Sequence, residues 1–338
     1  MTETNVVFEP AVRTGETLLE VDDLTVVFDT EDGVVQAVSD MTWSLAAGET
    51  LAILGESGSG KSVSVQTLMG LIPQPPGRVV KGSIRYRGEE IIDASPAEYR
   101  RIRGPEIAMI FQDPLSALNP VYRVGWQIAE MFRVHRGASR ADAKQQAIAL
   151  MERVGIPNAA RRARQYPHEF SGGMRQRAMI AMALALDPKV LIADEPTTAL
   201  DVTVQAQIME LLQEIQRDTG MGLVLITHDL GVVASVADRV VVMYAGRAVE
   251  SGPADPFYAA PAHPYSQGLM NSVPRLLGER ARLESIPGSP PSAIGIPTGC
   301  AFHPRCPHAQ DQCHETRPEL VELADRPGSA ACLRIGEF

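Results

Sequence analysis

A chain of 338 residues with 45% hydrophobic side chains has apolar material for one large domain plus an appendage. Its 31 Lys and Arg are outnumbered by 41 Asp and Glu; the net charge of −10 excludes nucleic acid as a main partner, because a phosphate-tracking surface needs a basic excess. The longest apolar run, Ala178 to Leu186, is too short to span a bilayer, and the acidic start Met1-Thr2-Glu3 lacks the basic head of a signal peptide, which predicts a soluble cytoplasmic protein free to sit on a membrane protein.

From Leu18 to about Ser44 the chain reads as β structure: Leu24, Val26 and Phe28 alternate with Thr25 and Val27, and Asp32-Gly33 looks like a hairpin turn. Leu51-Ala52-Ile53-Leu54 is a short buried strand, followed by Val63, Val65, Leu68, Met69 and Ile72 at roughly helical spacing. Pro73, Pro75, Pro76 and Gly77 break that helix, and Ile84 and Tyr86 mark a further strand. The stretch from about Ser95 to Leu186 is mostly helical, with Ser139 an N-cap before the apolar set Ala147, Leu150, Val154. Val190-Leu191-Ile192, Leu223-Val224-Leu225-Ile226 and Val240-Val241-Val242-Met243 then alternate with helical segments, as buried parallel strands of an α/β sheet do. Pro, Gly and all the cysteines gather after about Pro261, which places a domain boundary near residue 260.

Between the first buried strand and its helix lies Gly55-Glu56-Ser57-Gly58-Ser59-Gly60-Lys61-Ser62, a match to the phosphate-binding pattern G-x-x-x-x-G-K-[ST]. The glycines let the backbone wrap an anion without Cβ collisions. Lys61 supplies a point charge for the β- and γ-phosphates, and the Ser62 hydroxyl is placed to ligate Mg²⁺. The strand–loop–helix setting puts phosphates at a helix N-terminus, so the chain is expected to bind a nucleoside triphosphate.

Other candidates are weaker one by one. Asp194-Glu195 ends an apolar strand; in a phosphate-loop enzyme the first acid meets Mg²⁺ and the second polarises the attacking water, but strand-end acids are also common solvated termini. Ser171-Gly172-Gly173 offers N–H groups and a hydroxyl to an anion, or simply caps a helix. Gln112 and His228 each follow an apolar strand, where a structural role is the commoner one.

Their order is more specific. Phosphate loop, Gln112, Ser171-Gly172-Gly173, Asp194-Glu195, Ala199-Leu200-Asp201 and His228 together resemble the ABC ATPase family over about Leu18 to Arg247. The resemblance implies an α/β fold: an ABC-type nucleotide-binding domain over residues 1–260, with a mixed sheet core, an antiparallel β subdomain and a helical subdomain, then a small extension over 261–338. It implies that Gly55, Glu56, Ser57, Gly58, Ser59, Gly60, Lys61, Ser62 and Val63 cradle ATP, with Ser62, Asp194 and Gln112 at Mg²⁺. Gln112 would also report to the membrane subunit. Glu195 would be the general base, Asp201 the D-loop residue and His228 the switch histidine. Ser171, Gly172 and Gly173 would bind the γ-phosphate of ATP held by an opposite subunit. Phe28 either stacks on adenine or packs in the core. The signature departs from the common Leu-Ser-Gly-Gly-Gln, reading Phe170-Ser171-Gly172-Gly173-Met174, but keeps the serine and both glycines.

Cys300, Cys306, Cys313 and Cys332 follow C-x₅-C-x₆-C-x₁₈-C within the final 39 residues. A cytoplasmic chain does not keep structural disulfides, so a metal or cluster site is expected. Four thiolates suit a [4Fe–4S] cluster, and the wide gaps favour it over Zn²⁺, although His303, His308 and His314 stand near as zinc ligands. His263-Pro264-Tyr265, the Pro-rich run to Gly299 and the step Cys306-Pro307 resemble the C-terminal extension of dipeptide/oligopeptide importer ATPases, as does Ser171 to Ala206 throughout. That resemblance implies a peripheral subunit on the cytoplasmic face of the membrane, working with two permease subunits, a second and paralogous ATPase, and an extracytoplasmic solute-binding protein. The rival reading is a soluble ABC ATPase of DNA repair or translation with a zinc module. Such proteins carry a coiled-coil insertion or a tandem of ATPase halves, whereas 58 residues separate Gln112 from Ser171 here and the chain has one half.

Overall fold

The computed structural model describes residues 15–198, 200–272 and 285–337. The acidic start at residues 1–5 and Ala199 of the Ala199-Leu200-Asp201 motif lie outside the described residues. Strands β1 (Thr17–Thr30) and β2 (Gly33–Ala46) form a long antiparallel hairpin, and β3 (Thr50–Leu54) runs directly into the glycine-rich loop. β4 (Gly77–Tyr86) returns to the free edge of β1, and β5 (Glu89–Glu90) pairs on β4. Then come β6 (Ile107–Ile110), β7 (Val190–Asp194), β8 (Gly222–Ile226), β9 (Arg239–Tyr244) and β10 (Arg247–Pro253). The short β11 (Val321–Glu322) and β12 (Ser329–Ala330) close the chain.

Two sheets result. One is antiparallel, in the order β2-β1-β4-β5; the other has the order β11-β12-β10-β9-β3-β8-β7-β6, with β9, β3, β8, β7 and β6 mutually parallel. The parallel strands are continuous apolar runs because both faces are covered. Along β8, Leu223 and Leu225 enter one cluster with the helical layer, while Val224 and Ile226 enter a second cluster beneath the antiparallel sheet. In β3 one partner is shared and the other differs: Leu51 and Ile53 face the antiparallel sheet, and Ala52 and Leu54 face Tyr265 and Phe302 of the C-terminal segment.

Helices Val124–Arg136, Arg140–Arg153 and Gly172–Leu184 cover the far side of β6 and β7. The first stops at Gly137, whose left-handed φ of 64° suits a residue without Cβ; the second starts at Ser139, whose hydroxyl accepts from the Asp142 N–H.

Residues after 261 add to the sheet and core already present. β12 pairs antiparallel with β10, and Tyr265 and Phe302 are buried among Leu54, Val242 and Tyr244. No helix among the described residues is long and apolar enough to cross a membrane.

Candidate functional site

The parallel strand order sets the site. β6, β7, β8 and β3 are neighbours, so the loops leaving their C-terminal ends emerge on one edge of the sheet, where ligands of open α/β sheets bind. These loops carry Gln112, Asp194-Glu195, His228 and the phosphate loop respectively.

The phosphate loop requires its glycines for two separate reasons. Gly55, Gly58 and Gly60 have φ of +151°, +79° and +98°. Steric room is also missing: a Cβ at Gly55 would lie 2.3 Å from the Met243 carbonyl oxygen, and one at Gly60 would lie 2.2 Å from that of Ala37. The loop is held from behind by the tight turn between β9 and β10, where the Gly246 N–H donates to the Ser59 carbonyl at 3.0 Å. Helix Lys61–Leu68 begins at the last loop glycine, with its N-terminus at the anion position.

Lys61 is buried and curls inward, donating from Nζ to the carbonyls of Gly55 (2.7 Å) and Glu56 (2.9 Å). Burial lowers its pKa, and the carboxylates of Glu195, Asp194 and Glu56 partly oppose this. The Ser62 hydroxyl donates to Asp194 Oδ1 at 3.0 Å. Burial pushes the Asp194 carboxyl up, with the Ser62 hydrogen bond and the Lys61 charge working the other way. A serine hydroxyl beside a buried carboxylate at the mouth of a phosphate loop is a hard oxygen pair, so these residues fit Mg²⁺. Among the described residues the buried Ser59 hydroxyl has no hydrogen-bond partner, a polar atom available to a ligand.

Glu195 stands in the left-handed region at φ 47°, unusual for a non-glycine residue and a form of local strain associated with functional positions. Its N–H extends the sheet by donating to Ile226 O at 2.9 Å, which turns the side chain into the cleft. Three loops converge on its carboxylate. Gln112 Nε2 donates to Oε2 at 2.9 Å, the Thr198 hydroxyl donates to the same oxygen at 2.8 Å, and His228 Nδ1 lies 3.5 Å from Oε1.

Ser171, Gly172, Gly173 and Asp201 occupy a different cleft, which shares no lining residue with the one at the phosphate loop. Ser171 caps helix Gly172–Leu184, accepting from the Met174 N–H, and Asp201 caps helix Val202–Thr219, accepting from the Val204 N–H at 2.9 Å. Val204 crowds the second glycine, where a Cβ at Gly173 would come within 2.9 Å of Val204 Cγ1, while Leu200 leaves ordinary room at Gly172. Phe28 joins neither cleft. It pairs across the sheet with Gly77, its ring lies over that glycine, and it packs on the core.

Several residues had no role in the sequence reading. Thr198, three positions after Glu195, is within reach of its carboxylate because the segment turns back there. Val35, Ala37 and Ala293 line the phosphate-loop cleft, and their small apolar side chains give no local signal. Arg305 and Tyr265 bond to Glu56 from far along the chain.

This arrangement of phosphate loop, clustered acids and a separate Ser-Gly-Gly cleft defines an ATP-binding-cassette ATPase, which uses ATP and Mg²⁺. The family model described as "ABC transporter" matches residues 38–198, and the one described as "Oligopeptide/dipeptide transporter, C-terminal region" matches residues 249–313. The oligopeptide transport ATP-binding protein OppD of Salmonella typhimurium is 53% identical over 91% of this chain and 91% of its own. The dipeptide transport ATP-binding protein DppD of Escherichia coli is 51% identical over 91% of this chain and 94% of its own. Among solved structures, the dimeric ATP-binding cassette MJ0796 bound to ADP and Pi is similar with a TM-score of 0.63, at 25% identity over 70% of this chain and 99% of its own. The chain belongs to the ABC transporter ATP-binding protein family, in its oligopeptide/dipeptide branch.

The expectation of a [4Fe–4S] cluster, with Zn²⁺ as its alternative, is corrected. Among the described residues no group of three or more His, Cys, Asp or Glu is placed to hold a metal ion, and the relatives are peptide-transport ATPases, not iron–sulfur proteins. Cys300, Cys306, Cys313 and Cys332 line one small cavity as free thiols. Burial disfavours the charged form of three of them: the Cys300 thiol is pushed up to about 11, and Cys306 and Cys332 move in the same direction. Cys300 and Cys306 pack against the apolar cluster of Tyr265 and Phe302, as small hydrophobic side chains do.

Proposed function

We propose that the chain is the ATP-hydrolysing subunit of a bacterial importer of di- or oligopeptides, peripheral on the cytoplasmic face of the membrane. It would work with two permease subunits, a second and paralogous ATPase, and an extracytoplasmic binding protein that selects the peptide. The relatives named for oligopeptide and dipeptide transport support this reading, and nothing in the comparisons favours a repair or translation ATPase.

One observation carries the mechanism: Glu195 is held by Gln112, Thr198 and His228 at the mouth of the phosphate loop. Lys61 and the loop N–H groups bind and orient the triphosphate. Ser62, Asp194 and Gln112 are the residues that would hold Mg²⁺, which supplies positive charge to the phosphate oxygens when bound. Glu195 takes a proton from water as the water oxygen bonds to the γ-phosphorus and the bond from that phosphorus to the bridging oxygen breaks, so ADP and phosphate leave; His228 orients that carboxylate. Ser171, Gly172 and Gly173 lie in the other cleft, so they would serve ATP held by the facing subunit, and two chains must close head to tail over nucleotide. Reconstitution with the partner subunits in vesicles tests the function: hydrolysis should rise with a peptide-loaded binding protein. A complex whose hydrolysis ignores every peptide offered would refute the substrate class.

A further inference from the structure

Glu56, the second residue of the phosphate loop, is gripped twice from the C-terminal segment. Arg305 forms a bidentate pair with it, Nη1 to Oε2 at 2.7 Å and Nη2 to Oε1 at 3.0 Å. The same guanidinium reaches Tyr244 Oη at 3.3 Å and donates from Nε to the Pro287 carbonyl at 2.9 Å, so every nitrogen is bonded while the side chain is 5% exposed. The hydroxyl of Tyr265, itself fully buried, accepts from the Glu56 N–H at 2.9 Å.

This loop gathers N–H groups and an ammonium toward an anion, and a carboxylate within it has the wrong sign. Arg305 cancels that charge and, through the fork, turns both carboxylate oxygens toward the C-terminal segment. The same segment contributes Ala293 to the lining of the cleft, and the Ala293 carbonyl accepts from the Gln36 N–H at 3.1 Å. The C-terminal segment therefore touches the phosphate loop at Glu56 and the wall of its cleft at Ala293.

We infer that Arg305, together with Tyr265, is a positioning residue for the nucleotide: it neutralises Glu56 and holds the phosphate loop open to the triphosphate, which makes the C-terminal extension a part of the ATP site. The inference rests on the assignment of the loop as that site. ATP binding by the parent chain, lost in Lys61→Ala, tests the assignment separately.

The decisive experiment is calorimetric titration of the full-length chain with ATP and with ADP. Arg305→Met should weaken ATP roughly tenfold, the scale of one unpaired charge beside the phosphates, and should weaken the less charged ADP by less. Adding Glu56→Gln to Arg305→Met removes the stranded carboxylate and should bring ATP affinity back to within about threefold of the parent. A merely structural staple predicts otherwise: equal losses for ATP and ADP, and no rescue. Either result overturns the inference, as does parental ATP affinity in Arg305→Met. If circular dichroism shows that Arg305→Met does not fold, Arg305→Lys decides, because it keeps the charge and loses the fork. Its ATP affinity should stay within about threefold of the parent, and a tenfold loss there refutes the charge argument.

Discussion

Replacing Glu195 by glutamine changes one oxygen of a carboxylate whose partners define the outcome. Oε2 accepts from Gln112 Nε2 at 2.9 Å and from Thr198 Oγ1 at 2.8 Å, and Oε1 lies 3.5 Å from His228 Nδ1. The new amide can keep its oxygen on Gln112 and Thr198 and turn its NH₂ toward the imidazole, so the shape and the hydrogen bonds survive. The base does not. General-base catalysis is worth about 10²- to 10⁴-fold, or roughly 3–5 kcal/mol of barrier, and kcat in the assembled transporter should fall by that factor. Glu195 also places negative charge near Lys61, so its removal should leave ATP affinity unchanged or tighter. Lys61→Ala should do the reverse, weakening ATP binding itself. The assay pairs steady-state hydrolysis in vesicles with ATP titration of the same preparation. A Glu195→Gln transporter that turns over within about threefold of the parent would refute the assignment of the base.

The separation of the Ser171 cleft from the phosphate-loop cleft predicts that the isolated chain is a poor ATPase; sedimentation showing a monomer during rapid turnover would disprove head-to-tail closure. Phe302 is 2% exposed within the cluster that contains Leu54 and Tyr244, so Phe302→Ala should destabilise the chain by about 3–5 kcal/mol in urea unfolding, and a loss below about 1 kcal/mol would show that this contact is not part of the core. Burial holds His263 down at about 3, from an ordinary value of 6.5, with Nδ1 accepting from the Tyr265 N–H at 3.0 Å. The unfolded chain therefore takes up this proton below pH 6.5 while the folded chain does not, and stability falls as the pH falls. The group contributes about 1.4 kcal/mol per pH unit, or roughly 2 kcal/mol between pH 6.5 and 5. His263→Asn keeps an acceptor without the titration and should flatten that slope in urea unfolding; an unchanged slope would exclude His263 as its source.

Local sequence decided what depends on local backbone. The glycine spacing from Gly55 to Gly60 prescribes a loop with positive φ, and the runs at Val190, Leu223 and Val240, short and alternating with helical segments, read as strands covered on both faces. Ser139, Ser171 and Asp201 cap the helices that follow them because a cap bonds within three residues. The order of these motifs was enough to reveal the family.

Tertiary structure decided which distant groups share a charge or a wall. Arg305 and Glu56 are 249 positions apart, and no local pattern distinguishes an arginine that neutralises the phosphate loop from one in water. Phe28 alternates correctly for either role, and the fold sets it half-buried over Gly77 across the sheet, a neighbour that no local pattern names. The four cysteines suggested ligation by their number and their spacing, yet thiol chemistry depends on burial and mutual geometry, which spacing does not encode. Glu195 was legible as an acid at a strand end, but the pairing of β6, β7 and β8 placed Gln112, Thr198 and His228 around it. Hydrogen bonds act over about 3 Å of space, so the folded sheet, with its side-by-side strand ends, determined the electrostatics of the site.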